Sequence, residues 1–315
     1  MGSIRNIVLK TPGVRRAWLL ASRGKRFLRH LAAFWKNPQD VPLGHYYSPI
    51  PSREELRIRR EAVFPSGLEP PDEALNLNEE GQMALLESFR EYYASMPLPE
   101  FPAEGRRYYF ANSFYSYSDG VFLYCMLRWL RPKRIVEIGS GFSSALMLDV
   151  NDLCLEGKTH LTFIEPYPER LESLLKESDR RHSEVKIVAR PVQDVDLGVF
   201  GALEAGDILF VDSSHIMKAG SDLHHILFRI LPMLPPGVYC HFHDIFYNFQ
   251  YPVEWFRWGR SYNEAYALRA FLSYNSRFDI VLFNTHMEKK CPEWFERHMP
   301  LCLKNTGGSL WLRKS

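Results

Sequence analysis

The stretch Arg134-Ile135-Val136-Glu137-Ile138-Gly139-Ser140-Gly141-Phe142-Ser143-Ser144-Ala145-Leu146 decides how this 315-residue chain is read. A short β-branched run ends in a Gly-x-Gly turn, and a helix-forming stretch follows without a gap. Glycines at such a turn let the backbone approach a ligand closely, and the helix start presents N–H groups that have no partner inside the helix. The pair Gly139 and Gly141 is weak evidence alone, so its neighbours along the chain must carry the inference.

Outward from this turn, short β-branched runs alternate with helical stretches. Strands are expected at Arg134 to Ile138, His160 to Glu165, Val185 to Ala189, Ile208 to Val211, Val238 to His243, Ile280 to Phe283 and Ser309 to Leu312. Seven strands with helices in several of the intervals make a doubly wound α/β sheet. The second strand closes on Glu165, where a carboxylate can accept both hydroxyl protons of a ribose. The third is followed by Gln193 and Asp194, placed where an amide or carboxylate could meet an adenine amine. The fourth delivers Asp212 to its carboxyl end, followed by Ser213-Ser214-His215. The fifth ends in His241-Phe242-His243-Asp244, with His241 and His243 on one face and Asp244 at the exit.

The series Glu137-x-Gly139-x-Gly141, then Glu165, then Gln193-Asp194 resembles the class I S-adenosylmethionine-dependent methyltransferases, over about Arg134 to Ser315. The resemblance implies a Rossmann-like, seven-stranded, mostly parallel sheet whose last strand is antiparallel, which Gly308 to Arg313 can supply. It also implies S-adenosylmethionine as cofactor, with Glu137, Gly139, Ser140 and Gly141 at its methionine end, Glu165 on the ribose, and Gln193 and Asp194 flanking the adenine. A nicotinamide-dependent oxidoreductase would share the fold. Ser144 in place of the third glycine of Gly-x-Gly-x-x-Gly, and the lack of a Tyr-x-x-x-Lys pair after the fourth strand, count against it. A non-catalytic, membrane-associated assembly protein is the other alternative.

The Asp212-x-x-His215 spacing is similar to that of metal-dependent O-methyltransferases, and most of all to the sugar-modifying enzymes of macrolide biosynthesis. That likeness implies Asp212, His243 and Asp244 as ligands of magnesium or manganese, and His215 as the general base. An unperturbed imidazole pKa of about 6.5 leaves much of it neutral at pH 7. One position departs from the pattern: His243 stands where an acidic residue is expected, which weakens the case for magnesium and raises that for manganese, iron or no metal. The motif [DNS]-P-P-[YFW] of amino-directed enzymes is absent at Asp212, so a hydroxyl of a sugar, glycolipid or glycan or natural-product precursor is the expected acceptor. Downstream, Tyr251-Pro252-x-x-Trp255 and Gly259-Arg260-Ser261-Tyr262-Asn263-Glu264 mix polar and aromatic residues as a sugar-contacting loop would, and Arg260, Tyr262, Asn263 and Glu264 are the substrate-side candidates.

Global charge is near balance, with 39 Lys and Arg against 37 Asp and Glu, and gives no reason to expect a nucleic-acid partner. The distribution is uneven. Nine basic residues and no acidic one fall in the first 39 positions, leaving the other 276 with 30 basic against 37 acidic. Within residues 13–36 the apolar positions recur at helical spacing, so a basic amphipathic helix is expected, suited to peripheral contact with an anionic membrane, to packing on the domain or a partner subunit in an oligomer, or to targeting. Ser52 and Glu55 form a capping box for a helix to about Val63, and a further helix is expected from Glu79 to Met96. Prolines at 97, 99 and 102 then mark a boundary between an N-terminal extension (1–102), with His45-Tyr46-Tyr47-Ser48-Pro49 as a candidate lid, and a methyltransferase domain (103–315). Ser116 and Asp119 resemble a capping box for a helix from Asp119 to Leu130, which gives Asp119 a local role. Five cysteines without a CxxC pair fit a reducing cytoplasm. The longest apolar run, Val121 to Leu130, is too short to cross a bilayer.

Overall fold

A computed structural model describes residues 40–64 and 73–315, together with Gly24 and Leu28. The expected basic helix at 13–36 lies outside the described residues apart from those two. Two compact units are distinguished, residues 1–59 and 60–315. In the first, the helix Arg53–Ile58 starts as its capping residues predict, the Glu55 N–H donating to the Ser52 hydroxyl at 3.0 Å. Tyr46 and Tyr47 are exposed.

The second unit is built on a seven-stranded sheet: β1 (Arg134–Ile138), β2 (His160–Ile164), β3 (Val185–Val188), β4 (Ile208–Val211), β5 (Tyr239–His243), β6 (Phe278–Phe283) and β7 (Ser309–Lys314). Their spatial order is β3-β2-β1-β4-β5-β7-β6. All pairings are parallel except those of β7, which runs antiparallel to both β5 and β6. Residues along β4 alternate between two buried clusters, Ile208 and Phe210 on one face, Leu209 and Val211 on the other. Burial on both faces is why the parallel strands read as unbroken apolar runs. The order reverses between β1 and β4, and in open α/β sheets ligands bind outside the carboxyl ends of the strands at such a point.

The helix Tyr117–Leu130 packs against the face that holds Phe163, Phe210 and Trp311, and ten of its residues are buried. It begins two positions before the expected Asp119, and the Ser116 side chain makes no capping bond. The local role expected for Asp119 is therefore corrected. Its Oδ1 reaches instead to the start of β7, accepting from the Gly308 N–H at 2.9 Å and the Ser309 hydroxyl at 3.2 Å. The helix Glu79–Ala94 docks on the edge strand, where Gln82 Oε1 accepts from the Phe283 N–H at 2.7 Å and Asn78 donates to the Ile280 carbonyl. No helix among the described residues is long and apolar enough to cross a membrane.

The aromatic segment before the helix is pinned by a buried charge cluster. Arg107 lies inside the protein with its guanidinium paired to Asp149 at 2.7 Å, Asp152 at 2.9 Å and Asp179. Asp149 also accepts the backbone N–H groups of Arg107 and Tyr108. Tyr108, Phe110 and Tyr115 are core, whereas Phe114 stays half exposed. Removing one partner of a buried ion pair leaves charge uncompensated, at a cost of about 3–5 kcal/mol. Arg107→Ala should lower unfolding stability by that order in a denaturant titration, and a loss under about 1 kcal/mol would show that the cluster does not hold the segment.

Candidate active site

A cavity of about 750 Å³ opens at the carboxyl ends of β1, β2, β4 and β5, and its walls include Gly139, Ser140, Gly141, Glu165, Asp212, His215, His243 and Asp244. A cavity of about 860 Å³ lies elsewhere in the same unit, against the helix Glu79–Ala94 and β6, and none of these strand-end acids and imidazoles line it.

Gly139 explains how the first and fourth strand exits meet. Its φ is +81°, and a Cβ there would overlap the carbonyl oxygen of Asp212. The Asp212 N–H donates to the Ile138 carbonyl at 2.9 Å, so the Gly-x-Gly turn and the acidic strand end share one wall. Behind the turn, Glu137 is wholly buried and accepts from the Ser143 and Ser144 hydroxyls. Ser144 also accepts from the Gly141 N–H at 3.0 Å, which gives a structural task to the serine in the third glycine position. Burial pushes the Glu137 carboxyl up to about 8, the serine bonds opposing it. Glu137 is thus a brace behind the turn, not part of the cavity wall.

Glu165 faces the cavity with both oxygens oriented, one accepting from Tyr167 N–H at 2.8 Å and the other from Ser140 N–H at 3.2 Å. Gln193 and Asp194 lie on an exposed 3-10 turn, Val192–Asp194, outside the cavity wall, and the Gln193 amide donates to the Gly220 carbonyl at 2.9 Å.

The second half of the site centres on His215. Its Nδ1 stands 2.7 Å from Glu264 Oε2, and its Nε2 stands 3.5 Å from an oxygen of Asp212 and 3.5 Å from one of Asp244. His215 and Asp244 both adopt left-handed backbone, with φ of 59° and 58°. Such strain persists only where the surroundings impose it. Here the His215 carbonyl accepts the N–H groups of Asn263 and Glu264, and the Asn263 side chain brackets Met217 through both its oxygen and its amide. Asn263 and Glu264, expected on the substrate side, are therefore corrected to the support behind His215. Arg260 and Tyr262 do line the cavity.

Charges in the cluster set one another. Burial drives His215 toward its neutral form, yet the Asp212 and Glu264 carboxylates outweigh burial and hold its pKa well above 6.5. Enclosure would raise Asp212, but His243 and His215 keep it below the usual carboxylate range. Burial also lowers His243, and Asp212, Asp244 and Asp119 reverse the sign. His241 is held well below 6.5 by burial and by its neighbour His243; it stacks on Phe210 at 3.9 Å and bonds Ser309, a core histidine.

Asp119, Phe114 and Arg170 also line the cavity and were missed as site residues in the sequence, and Trp255 lines it too. Burial pushes Asp119 up to about 6, against the pull of His243. Its signal was available: it is the one acid in an otherwise apolar helix, followed at a distance by the Gly307-Gly308 pair that its carboxylate packs against. Arg170 lies 4.0 Å over the Phe114 ring, and no sequence spacing announces that contact. Phe246, Trp255 and Tyr262 form an edge-to-face aromatic wall, Trp255 lying 5.2 and 5.5 Å from the other two.

Residues 136–245 match the model of a methyltransferase domain family, Methyltransf_24. A protein of Archaeoglobus fulgidus described as uncharacterized is 36% identical over 165 residues, which are 52% of this chain and 73% of that protein. Residues 136–245 thus carry a methyltransferase domain. Among solved structures the chain is remotely similar to the Podospora anserina methyltransferase PaMTH1 bound to SAH (16% identity, 84% of this chain and 97% of that one, TM-score 0.42). It is also remotely similar to the O-methyltransferase TomG of Streptomyces achromogenes (16% identity, 82% and 95%, TM-score 0.41). The matched domain spans both halves of the site, from the Gly-x-Gly turn through Asp212, His215 and Asp244.

Among the described residues, no group of three or more His, Cys, Asp or Glu side chains is arranged to hold an ion. Asp212, His243 and Asp244, expected as ligands, form no such group. For the methyltransferase turn, Gly139→Ala should cost more than about 1 kcal/mol from the left-handed φ alone, and more through the clash with Asp212. A variant as stable as wild type in thermal unfolding would show that the two strand exits need not approach this closely.

Proposed function

We propose that the protein is an S-adenosylmethionine-dependent O-methyltransferase acting on a hydroxyl of a sugar, glycolipid or glycan or natural-product precursor, with His215 as general base. The observation that carries this reading is the pairing, within one cavity, of an oriented ribose-type carboxylate at Glu165 with an acid-flanked imidazole at His215, joined across Gly139. The residues fit the cofactor: Glu165 can accept the ribose hydroxyls, and the bare backbone at Gly139 and Gly141 leaves room for the methionine end. S-adenosylmethionine supplies an electrophilic methyl group and leaves as S-adenosylhomocysteine.

An alcohol is a weak nucleophile at neutral pH, and a positioned base contributes roughly 10²- to 10⁴-fold. His215 Nε2 takes the hydroxyl proton as the oxygen–methyl bond forms and the sulfur–methyl bond breaks. Asp212 and Asp244 then face the imidazolium so formed, which stabilises charge that develops along the reaction. The aromatic wall of Phe246, Trp255 and Tyr262 in the same cavity suits a sugar ring, which presents C–H faces to aromatic rings and hydroxyls to acceptors. Arg260, stacked 4.9 Å over Trp255, can meet an anionic group on the same acceptor. The basic residues of the first 39 positions suit peripheral contact with anionic lipid, as a glycolipid acceptor would require.

Calorimetric titration with S-adenosylhomocysteine tests the reading directly. Saturable one-to-one binding is expected, weakened in Glu165→Ala by about 1.5–3 kcal/mol, the range for hydrogen bonds to a charged group. Absence of binding by folded wild-type protein would overturn the proposal. The pH dependence has a definite sign. A base must be neutral to act, and its neighbours raise the His215 pKa, so the acid limb of the rate profile should lie alkaline of 6.5. A limb at or below 6.5 would remove His215 from the role. Asp212→Asn should shift the limb toward acid while sparing S-adenosylhomocysteine binding.

A further inference from the structure

Among the described residues that line the active-site cavity, the permanent cations are Arg170 and Arg260. Neither guanidinium pairs with a carboxylate among the described residues, and each lies on aromatic rings instead. Arg170 stands over Phe114 at the cofactor half, where a Cβ on Gly141 would meet its Cδ at 3.2 Å. Arg260 belongs to the other half. Its guanidinium carbon lies 4.9 Å from the centre of the Trp255 ring and 5.6 Å from that of Trp258. The turn that sets it there runs through Gly259 at φ +82° and is closed by the Arg260 N–H on the Trp255 carbonyl at 2.9 Å. Glu254, the acid of the short helix Val253–Arg257, is engaged by Arg257 at 3.5 Å. From Arg260 the aromatic wall continues through Trp255 to Tyr262, 5.5 Å on, and from Tyr262 to the His215 ring at 4.9 Å.

A stacked guanidinium spends its flat face on the rings and keeps its in-plane N–H fork free. That fork grips a carboxylate or phosphate through two parallel hydrogen bonds. S-adenosylmethionine brings one carboxylate, at the methionine end that the reading places by the Gly139–Gly141 turn, and Arg170 flanks that turn. Arg260, on the acceptor's aromatic wall, is left for a second anion, which the acceptor has to bring. We propose that the acceptor is an anionic saccharide, a sugar phosphate or a uronate. Arg260 holds its oxyanion, the sugar ring lies along Trp255 and Tyr262, and the reacting hydroxyl reaches His215. Charge also sets the direction of binding. Asp212 and Asp244, each 3.5 Å from His215, disfavour an oxyanion beside the base, so the uncharged end of the acceptor enters there and the anion stays at Arg260. Held on two rings, Arg260 has less side-chain freedom to lose on binding than a free arginine. The proposal rests on reading the cavity as a methyl-transfer site and names the class of acceptor that site takes. Arg260 sets specificity in this scheme and has no part in the proton transfer.

The test follows phenylglyoxal modification of each arginine by peptide mass spectrometry, in full-length protein with and without excess S-adenosylhomocysteine. The probes are inorganic phosphate, glucose 1-phosphate, glucose 6-phosphate, glucuronate and glucose. At least one of the anionic sugars should slow modification of Arg260 saturably, at roughly a tenth of the concentration that inorganic phosphate needs. Glucose should leave the rate unchanged. Protection by the sugar phosphates alone, or by glucuronate alone, supports the proposal and identifies the oxyanion. Arg257, on the same segment and paired with Glu254, should show no saturable protection. Arg260→Gln should bind S-adenosylhomocysteine as wild type does. An Arg260 that no anionic sugar protects would overturn the proposal. Equal protection by inorganic phosphate would mark adventitious anion binding only, and equal protection by glucose would show that charge is not what is read; either outcome also overturns it, as does matching protection of Arg257. Loss of S-adenosylhomocysteine binding in folded Arg260→Gln would move the residue to the cofactor half, with the same consequence. The two readings fail separately. Wild type that binds no S-adenosylhomocysteine yet shows the expected protection refutes methyl transfer and keeps the anionic-saccharide site, whereas binding without protection does the reverse.

Discussion

The site depends on the contact between two strand exits. β1 and β4 are hydrogen-bonded neighbours, and their chains leave the sheet side by side where the strand order reverses. With no side chain at Gly139, the backbone of the turn lies against the carbonyl of Asp212, and the cofactor half and the acid–imidazole half become one cavity. A methyl donor and an acceptor must be aligned within a near-attack distance, and on the proposed reading this contact would set the separation of their subsites.

Around that contact the protein concentrates charge at a cost it must offset. Asp119, Asp212, Asp244 and Glu264 surround His215 and His243, and taking such groups out of water is unfavourable unless each finds partners. The offset comes from pairing acid with imidazole, from backbone N–H groups such as that of Gly308 on Asp119, and from the start of the helix Glu264–Leu272. The left-handed φ at His215 and Asp244 is a second cost, located at the residues whose side chains must point into the cavity. Arg107 does similar work at a distance, fixing the segment that brings Phe114 and Tyr115 to the wall.

Much of this was legible from residue order. Strands at the expected positions appear within a residue or two at most ends, because parallel strands buried on both faces leave an apolar signal that polar turns interrupt. Glu165 and the Asp212-x-x-His215 spacing were readable because strand ends project onto one edge of the sheet. Gln193 and Asp194 lie outside the cavity wall because the 3-10 turn after β3 leaves both exposed, with the Gln193 amide on the Gly220 carbonyl. Glu264 was assigned to the substrate because it sits in the same polar and aromatic stretch as Arg260 and Tyr262, and only the fold of the helix start turns it toward His215.

Sequence alone determined the class of sheet, the Gly-x-Gly turn at the end of its first strand, and the identity of the acids and imidazoles at the strand ends, since each follows from local periodicity and from the two-residue repeat of a strand. Tertiary structure decided which of those groups meet. Asp119 and Gly308 are 189 positions apart, and His215 and Glu264 are 49 apart. Contacts of that separation are fixed by sheet register and helix docking, which no local pattern encodes. The environment of His215 was decided the same way: its identity is a letter in the chain, but its charge and its place between two carboxylates come from the enclosure that the folded sheet builds around it.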